Sequence, residues 1–142
     1  MLCKDLMKKN VKCCSPDDPV HVAAAMMRDE NIGFIPICDE ARRVFGTLTD
    51  RDVVIRCVAE RFPDDTRCER VMTKNPITVR QDARLNTALQ LMSKHQISRI
   101  IVVDGKDAMV GVISLSDIAQ EADDKRVADT MRHVTNREAT LH

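Results

Sequence analysis

Apolar positions recur with helical period in two stretches of the chain: Val20, Ala23, Ala24 and Met27, then Leu85, Ala88, Leu89 and Met92. Spacing of i, i+3, i+4, i+7 predicts two helices that each bury one face, with the methionines as core fillers. Each stripe is followed by an apolar run, Phe34-Ile35-Pro36-Ile37-Cys38 in the first stretch and Arg99 leading Ile100-Ile101-Val102-Val103 in the second. Polar turns at Asp39-Glu40 and Asp104-Gly105 then separate these runs from a second pair, Val44 to Leu48 and Met109 to Ile113, which predicts two β-hairpins. Further helices are predicted from about Asp50 to Glu60 and from Leu115 to Glu121, and short strands at Val11-Lys12-Cys13-Cys14 and Ile77-Thr78-Val79. Asp18 before Pro19 makes a cap and first-turn pair for the first helix; Ala83 stands at the second, leaving Asp82 as the nearest substitute. Each stretch reads β-α-β-β-α, an α+β arrangement with helices covering one face of a small sheet.

The two stretches are copies. Residues 6–53 laid over 71–118 at a constant offset of 65 need no gap and give eleven identities: Met7/Met72, Lys9/Lys74, Asn10/Asn75, Asp17/Asp82, Ala23/Ala88, Met27/Met92, Ile32/Ile97, Ile35/Ile100, Asp39/Asp104, Gly46/Gly111 and Asp52/Asp117. Two long copies predict a pseudo-symmetric pair rather than a solenoid. The boundaries that follow are 2–60 for the first repeat, 61–67 for a polar, Pro-containing linker, 68–121 for the second repeat and 122–142 for a C-terminal helix and tail. In that last segment Val127, Met131 and Val134 have roughly helical spacing, which predicts packing on a neighbour or a second subunit; the last six residues are expected to be loose.

Both copies end in one motif, Gly46-Thr47-Leu48-Thr49-Asp50-Arg51-Asp52 and Gly111-Val112-Ile113-Ser114-Leu115-Ser116-Asp117. A strand that stops at Thr or Ser and turns into a helix leaves helical N–H groups unpaired at a place where an anion can be received. The hydroxyl can cap the helix or touch a phosphate, and the Asp can accept hydrogen bonds from sugar hydroxyls. The same pattern also serves as an ordinary helix start, the acid complementing the dipole for about 0.3–1 kcal/mol.

Charge and composition narrow the classes. Lys plus Arg balance Asp plus Glu at 22 each, and with no Trp or Tyr and three Phe there is little to stack on bases, so nucleic-acid binding is not expected. The N-terminus carries charges where a signal peptide has an apolar run, and no 18-residue apolar stretch occurs, so a cytoplasmic protein without membrane contact is expected. The six cysteines form no Cys-x-x-Cys pair, so free thiols are the expectation, and the four histidines, His21, His95, His133 and His142, lack ligand spacing and are expected at the surface. Vicinal Cys13 and Cys14 on a strand point to opposite faces and are not expected to share a metal or redox site. No nucleophile elbow, P-loop or split acid pair is present, so no catalytic residue, metal or cofactor is assigned and an enzyme is not expected.

Paired β-α-β-β-α repeats that each end in Gly, two strand-forming residues, Thr or Ser, and an Asp three positions on resemble a tandem pair of CBS domains, named for cystathionine β-synthase. The resemblance covers about residues 2–121 and is especially close to small stand-alone bacterial CBS pairs, which often carry Thr-Asp-Arg-Asp as at Thr49 to Asp52. It implies two pseudo-symmetric repeats packed as one module, usually a homodimer, that regulates an effector protein by binding AMP, ADP, ATP or another adenosine ligand in clefts between the repeats. It implies that Asp52 and Asp117 hold ribose hydroxyls, that Thr49 and Ser114 lie on the phosphate side, and that adenine is walled by Val11 to Cys13 and Pro76 to Thr78, including Ile77. Ile35, Pro36, Ile100 and Ile101 lie nearby.

Arg99 matches a family cation that reaches the phosphate of the ligand held by the other repeat; its counterpart, Phe34, does not. Ile101 stands where the family and Pro36 favour proline, and Ser116 where the first motif has Arg51, the candidate cation for the second cleft. Unequal clefts are therefore expected, with a structural or protein-interaction pair lacking nucleotide as the alternative.

Overall fold

The computed structural model describes residues 1–121 and 125–141. In chain order the elements are α1 (Cys3–Leu6), α2 (Val20–Glu30), β1 (Phe34–Cys38), β2 (Val44–Thr49), α3 (Asp50–Val53), α4 (Cys68–Val71), β3 (Thr73–Lys74), β4 (Thr78–Arg80), α5 (Leu85–His95), β5 (Arg99–Val103), β6 (Met109–Ser114), α6 (Leu115–Glu121) and α7 (Lys125–Leu141). The helix begun by α3 continues as a π-helical turn over Val54–Val58, short of the expected Glu60.

Two compact units result, and they cut across the repeats: Lys12–Pro76, here the Asp52 unit, and Met1–Val11 with Ile77–His142, the Asp117 unit. Residues 61–67, expected as a linker, lie inside the Asp52 unit, and the opening of the first repeat belongs to the other unit. Unpaired helix starts explain the exchange. Neither α2 nor α5 has a side-chain cap, so backbone carbonyls meet their leading N–H groups instead: Val20 N–H donates to Thr66 O (2.8 Å), His21 N–H to Asp64 O (3.0 Å) and Leu85 N–H to Met1 O (2.9 Å). In return Cys68 N–H donates to Asp18 O and Cys3 N–H to Ala83 O, at 2.8 and 2.9 Å. Asp18 therefore does not cap α2 as expected; its carboxylate accepts the Ser15 N–H at 2.9 Å, and the residue before α5 is Arg84 rather than Asp82.

The Asp52 unit has an antiparallel sheet ordered β1-β2-β3. The Asp117 unit has the order β4-β5-β6, with β4 parallel to β5 over three residue pairs. The strand expected at Val11 to Cys14 is not formed and survives only as a single parallel bridge between Cys14 and Ile37, while the second expected strand forms over Thr78–Arg80. Proline accounts for the difference. Beyond β4, Gln81 N–H donates to Val103 O at 2.9 Å; the residue at that position in the first repeat is Pro16, which has no N–H to give.

Alternate residues of β1 and β5 feed the two cores: Ile35 and Ile37 join Val20, Ala23, Met27 and Leu48, and Ile100 and Val102 join Leu85, Ala88, Leu89 and Met92. Ala24, expected in the first stripe, is only half-buried. The opposite faces of the two strands, with Pro36 and Cys38 or Ile101 and Val103, are buried as well, which is why these strands read as unbroken apolar runs.

Gly46 and Gly111 have a packing role. A Cβ on either would stand 2.6 Å from Thr73 O or 2.7 Å from Lys8 O, so only glycine lets the segment after α4 or α1 lie across the hairpin. In the Asp117 unit α7 packs on α5 and buries Thr130 and Val134, while Met131 stays 44% exposed; the side chain of Val127 lies outside the described residues. The helix runs on to Leu141 through residues expected to be loose. Among the described residues no helix is long and apolar enough to cross a membrane.

Candidate functional site

Each hairpin delivers its motif hydroxyl to the end of a strand, and the following helix starts on it. Thr49 Oγ1 accepts the Asp52 N–H at 3.2 Å while Asp52 Oδ2 accepts the Thr49 N–H at 3.0 Å, a reciprocal capping box. Ser114 Oγ accepts the Asp117 N–H at 3.1 Å and lies 3.0 Å from Ser116 Oγ. The helix-start role of both motifs is thus present, and it leaves carboxylate oxygens over. Among the described residues Asp52 Oδ1 has only long contacts, Thr73 Oγ1 at 3.5 Å and an Arg56 nitrogen at 4.0 Å. Asp117 Oδ1 stands 3.6 Å from Lys8 Nζ, and Asp117 Oδ2 is buried without a hydrogen-bond partner among the described residues.

Lys8, Arg56 and Thr73 were not singled out in the sequence. Lys8 and Thr73 are equivalent at the offset of 65 and follow the matched Met7 and Met72, so the repeat held the signal that the same segment reaches both acids. Arg56 also donates to Val71 O (3.2 Å), Met72 O (3.0 Å) and Thr73 Oγ1 (3.3 Å), tying the helix to the end of α4; its counterpart is Glu121.

The hairpin registers pair Arg99 with Ser114 and Phe34 with Thr49, so each strand-end residue shares a face with the hydroxyl of its own motif. Arg51 is set apart from Thr49 and Asp52: it is exposed and lines a shallow depression with Asp50, Val54 and Ile55. Among the expected wall residues, Pro36, Ile35, Ile100 and Ile101 are fully buried, and Cys13, Ile77 and Thr78 are half-buried. Cys14 is buried in the Asp52 core, and burial pushes its thiol up to about 11. Burial, then the neighbouring Cys13 thiol, pushes Cys38 up to about 12. His21, His95 and His133 are exposed, and His142 lies outside the described residues. Among the described residues no group of three or more His, Cys, Asp or Glu is placed to hold a metal ion.

The fold and motifs define a class: a paired-repeat α+β module with a hydroxyl–carboxylate pair at an equivalent strand-to-helix turn in each half. The family model for the CBS domain matches residues 3–58 and again 68–124, and the chain belongs to that family. It is 38% identical over 117 residues to the uncharacterized protein YlbB of Bacillus subtilis, spanning 82% of this chain and 78% of that one. It is similar to the crystal structure of Hypoxic Response Protein I with two coordinated zinc ions, at 30% identity and TM-score 0.79, over 86% of this chain and 99% of that one. The CBS domain pair of protein MJ0100, in complex with 5'-methylthioadenosine and S-adenosyl-L-methionine, is 29% identical with TM-score 0.76, over 85% of this chain and 98% of that one.

Proposed function

We propose that this chain is a regulatory module, not an enzyme, that binds adenosine-containing ligands of the AMP, ADP or ATP kind through the Thr49/Asp52 and Ser114/Asp117 motifs. The observation that carries the reading is the spare acceptor capacity of both motif carboxylates: the helix start engages the residues, yet among the described residues Asp52 Oδ1 keeps only long contacts and Asp117 Oδ2 has no hydrogen-bond partner. A vicinal diol donates two hydrogen bonds and suits such an oxygen pair. The adenosine compounds held by the MJ0100 pair support the ligand class. Thr49 and Ser114 then face the phosphate side, Arg99 supplies the phosphate cation, and Cys13, Pro36, Ile77, Thr78 and Ile101 contribute the adenine walls.

The ion pair of Lys8 with Asp117 supports a second reading, a protein-interaction pair without nucleotide in which the acids only start helices. A thermal-shift panel of AMP, ADP, ATP, NAD and S-adenosylmethionine separates the two. A ligand at ~100 times its dissociation constant adds about 2.7 kcal/mol and raises the melting temperature by several degrees. No shift with any of the five at millimolar concentration leaves the interaction reading in place.

The same proposal includes a homodimer. The helix begun by α3 exposes Val54, Ile55 and Val58 at 55, 47 and 65%, and a two-fold pairing is the commonest way to cover such a face. Light scattering should return twice the chain mass of 16.0 kDa; a single chain mass across micromolar concentrations rejects the dimer.

A further inference from the structure

We propose that Arg56 is a positioning residue of the Asp52 motif: through the Thr73 hydroxyl it sets how the Asp52 carboxylate meets a vicinal diol. The inference rests on the ligand reading above and deepens it, assigning diol selectivity at this motif to a residue outside it.

Arg56 follows Asp52 by four residues, a spacing that brings the two side chains to one helix face. Its guanidinium does not close on the acid. Nη1 donates to Met72 O at 3.0 Å and Val71 O at 3.2 Å, the carbonyls that end α4, and to Thr73 Oγ1 at 3.3 Å, while Asp52 Oδ1 stands 4.0 Å away. Carbonyls at a helix C-terminus have no intrahelical partner and carry partial negative charge, so they hold a cation well. The helix widens where it carries Arg56: Ala59 N–H donates five residues back, to Val54 O, at 2.8 Å. Arg56 is thereby anchored on α4, and Asp52 keeps the oxygen that a direct ion pair with the guanidinium would occupy.

A threonine hydroxyl has one proton and two lone pairs. One lone pair of Thr73 takes the Arg56 N–H, which leaves the proton for Asp52 Oδ1, 3.5 Å away. Asp52 Oδ2 accepts the Thr49 N–H at 3.0 Å, and the pairing of Thr73 with Thr47 fixes the strand that brings the hydroxyl, so the carboxylate is held from both sides. The gap between Thr73 Oγ1 and Oδ1 is long for a bond between oxygens, and an incoming hydroxyl that donates to Oδ1 can accept from Thr73 in its place. The Asp117 unit supplies the contrast. There Glu121 stands for Arg56 and Lys8 for Thr73, the lysine is 71% exposed beside Oδ1, and Oδ2 has no hydrogen-bond partner among the described residues.

The test is calorimetry of AMP and 2'-deoxy-AMP binding to the full chain carrying Asp117→Ala, which leaves the Asp52 motif intact, and to the same chain with Arg56→Met, Thr73→Val or Thr73→Ser. The Asp117→Ala chain should prefer AMP by about tenfold or more, because a site that hydrogen-bonds a hydroxyl rejects the analogue lacking it. Arg56→Met, which keeps the stem and removes the donors, should bring that preference below about threefold, mostly by weakening AMP. Thr73→Val should do the same and Thr73→Ser should keep the preference. Arg56→Met added to Thr73→Val should change it no further, because the two act as a unit. Equal weakening of both ligands by Arg56→Met marks a merely structural role and overturns the proposal, as does an Arg56→Met effect that persists in full beside Thr73→Val. If Arg56→Met does not fold, Thr73→Val and Thr73→Ser decide, and a preference that survives Thr73→Val overturns it. A wild type that binds neither compound fails the ligand reading itself. A wild type that binds AMP while the Asp117→Ala chain does not, or an Asp117→Ala chain that binds both compounds equally, leaves ligand binding standing and overturns the role of Arg56.

Discussion

Asp52 and Asp117 stand at equivalent points of two copies of one fold, yet the surrounding contacts differ in kind. Around Asp52 the acid and Thr49 cap each other, Thr73 lies in the short strand β3, and Arg56 binds the end of α4. Around Asp117 the hydroxyl–amide bond remains, but the segment after α1 makes only one bridge to β6, between Lys8 and Val112, and a lysine replaces the Thr73 hydroxyl. The imbalance reverses at the other sheet edge, where β4 is a strand and the segment around Cys14 a single bridge. Duplication preserved the backbone exchange and the motif, while the polar contacts that tune each motif diverged.

Substitution of the two glycines should produce the largest effects. Gly46→Val and Gly111→Val both drive a side chain into a backbone carbonyl, for about 1–3 kcal/mol each. Gly46→Val should cost more, because it also displaces the β3 pairing, where the Asp117 unit has one bridge to lose. Urea unfolding midpoints check this, and equal losses would remove the claimed difference between the two segments.

Caps come next. Thr49→Ala should cost about 1–2 kcal/mol and Ser114→Ala about 0.5–1 kcal/mol, since the first breaks a reciprocal box and the second a single bond. A reversed order would contradict the geometry. The two cations should differ in the same sense: Arg56→Ala loses hydrogen bonds to two carbonyls for about 1 kcal/mol, while Lys8→Ala, at an exposed ion pair, should stay within about 0.5 kcal/mol.

Acid should reveal no difference between the hairpin turns. Backbone N–H groups of Arg43 in one turn, and of Lys106 and Ala108 in the other, hold the carboxyls of Asp39 and Asp104 below the usual range. A carboxyl with a lowered folded pKa contributes stability above its unfolded value and loses it as pH falls through the folded value. Both turns should therefore loosen together below about pH 4, as read by backbone NMR shifts; loosening of one alone would break the equivalence.

Periodicity exposed α2, α5 and the two hairpins because their apolar faces are local. The exchanged segments were hidden because carbonyls from distant residues, such as Thr66 and Met1, take the place of side-chain caps that a sequence can display. Asp18-Pro19 looked like a cap, and its carboxylate turned to Ser15. Pro16 is a strand breaker two residues after Cys14, and it overrides the strand pattern at Val11 to Cys14. Thr49, Asp52, Ser114 and Asp117 were visible through repetition, whereas Arg56 was hidden because Glu121 is its counterpart.

The central proposal is that the motif acids hold ribose and that Arg99, as the family resemblance implies, serves the phosphate of the ligand at Asp52. Calorimetry of AMP and adenosine binding to Asp52→Ala, Asp117→Ala, Arg99→Ala and the double variants tests it most directly. Arg99→Ala should weaken AMP by roughly tenfold or more and adenosine much less, as loss of a charge-assisted contact of about 1.5–3 kcal/mol requires. Its effect should be non-additive with Asp52→Ala and additive with Asp117→Ala. If Asp117→Ala abolishes AMP binding while Asp52→Ala and Arg99→Ala leave it unchanged, or if Arg99 couples to Asp117 instead, the assignment is contradicted.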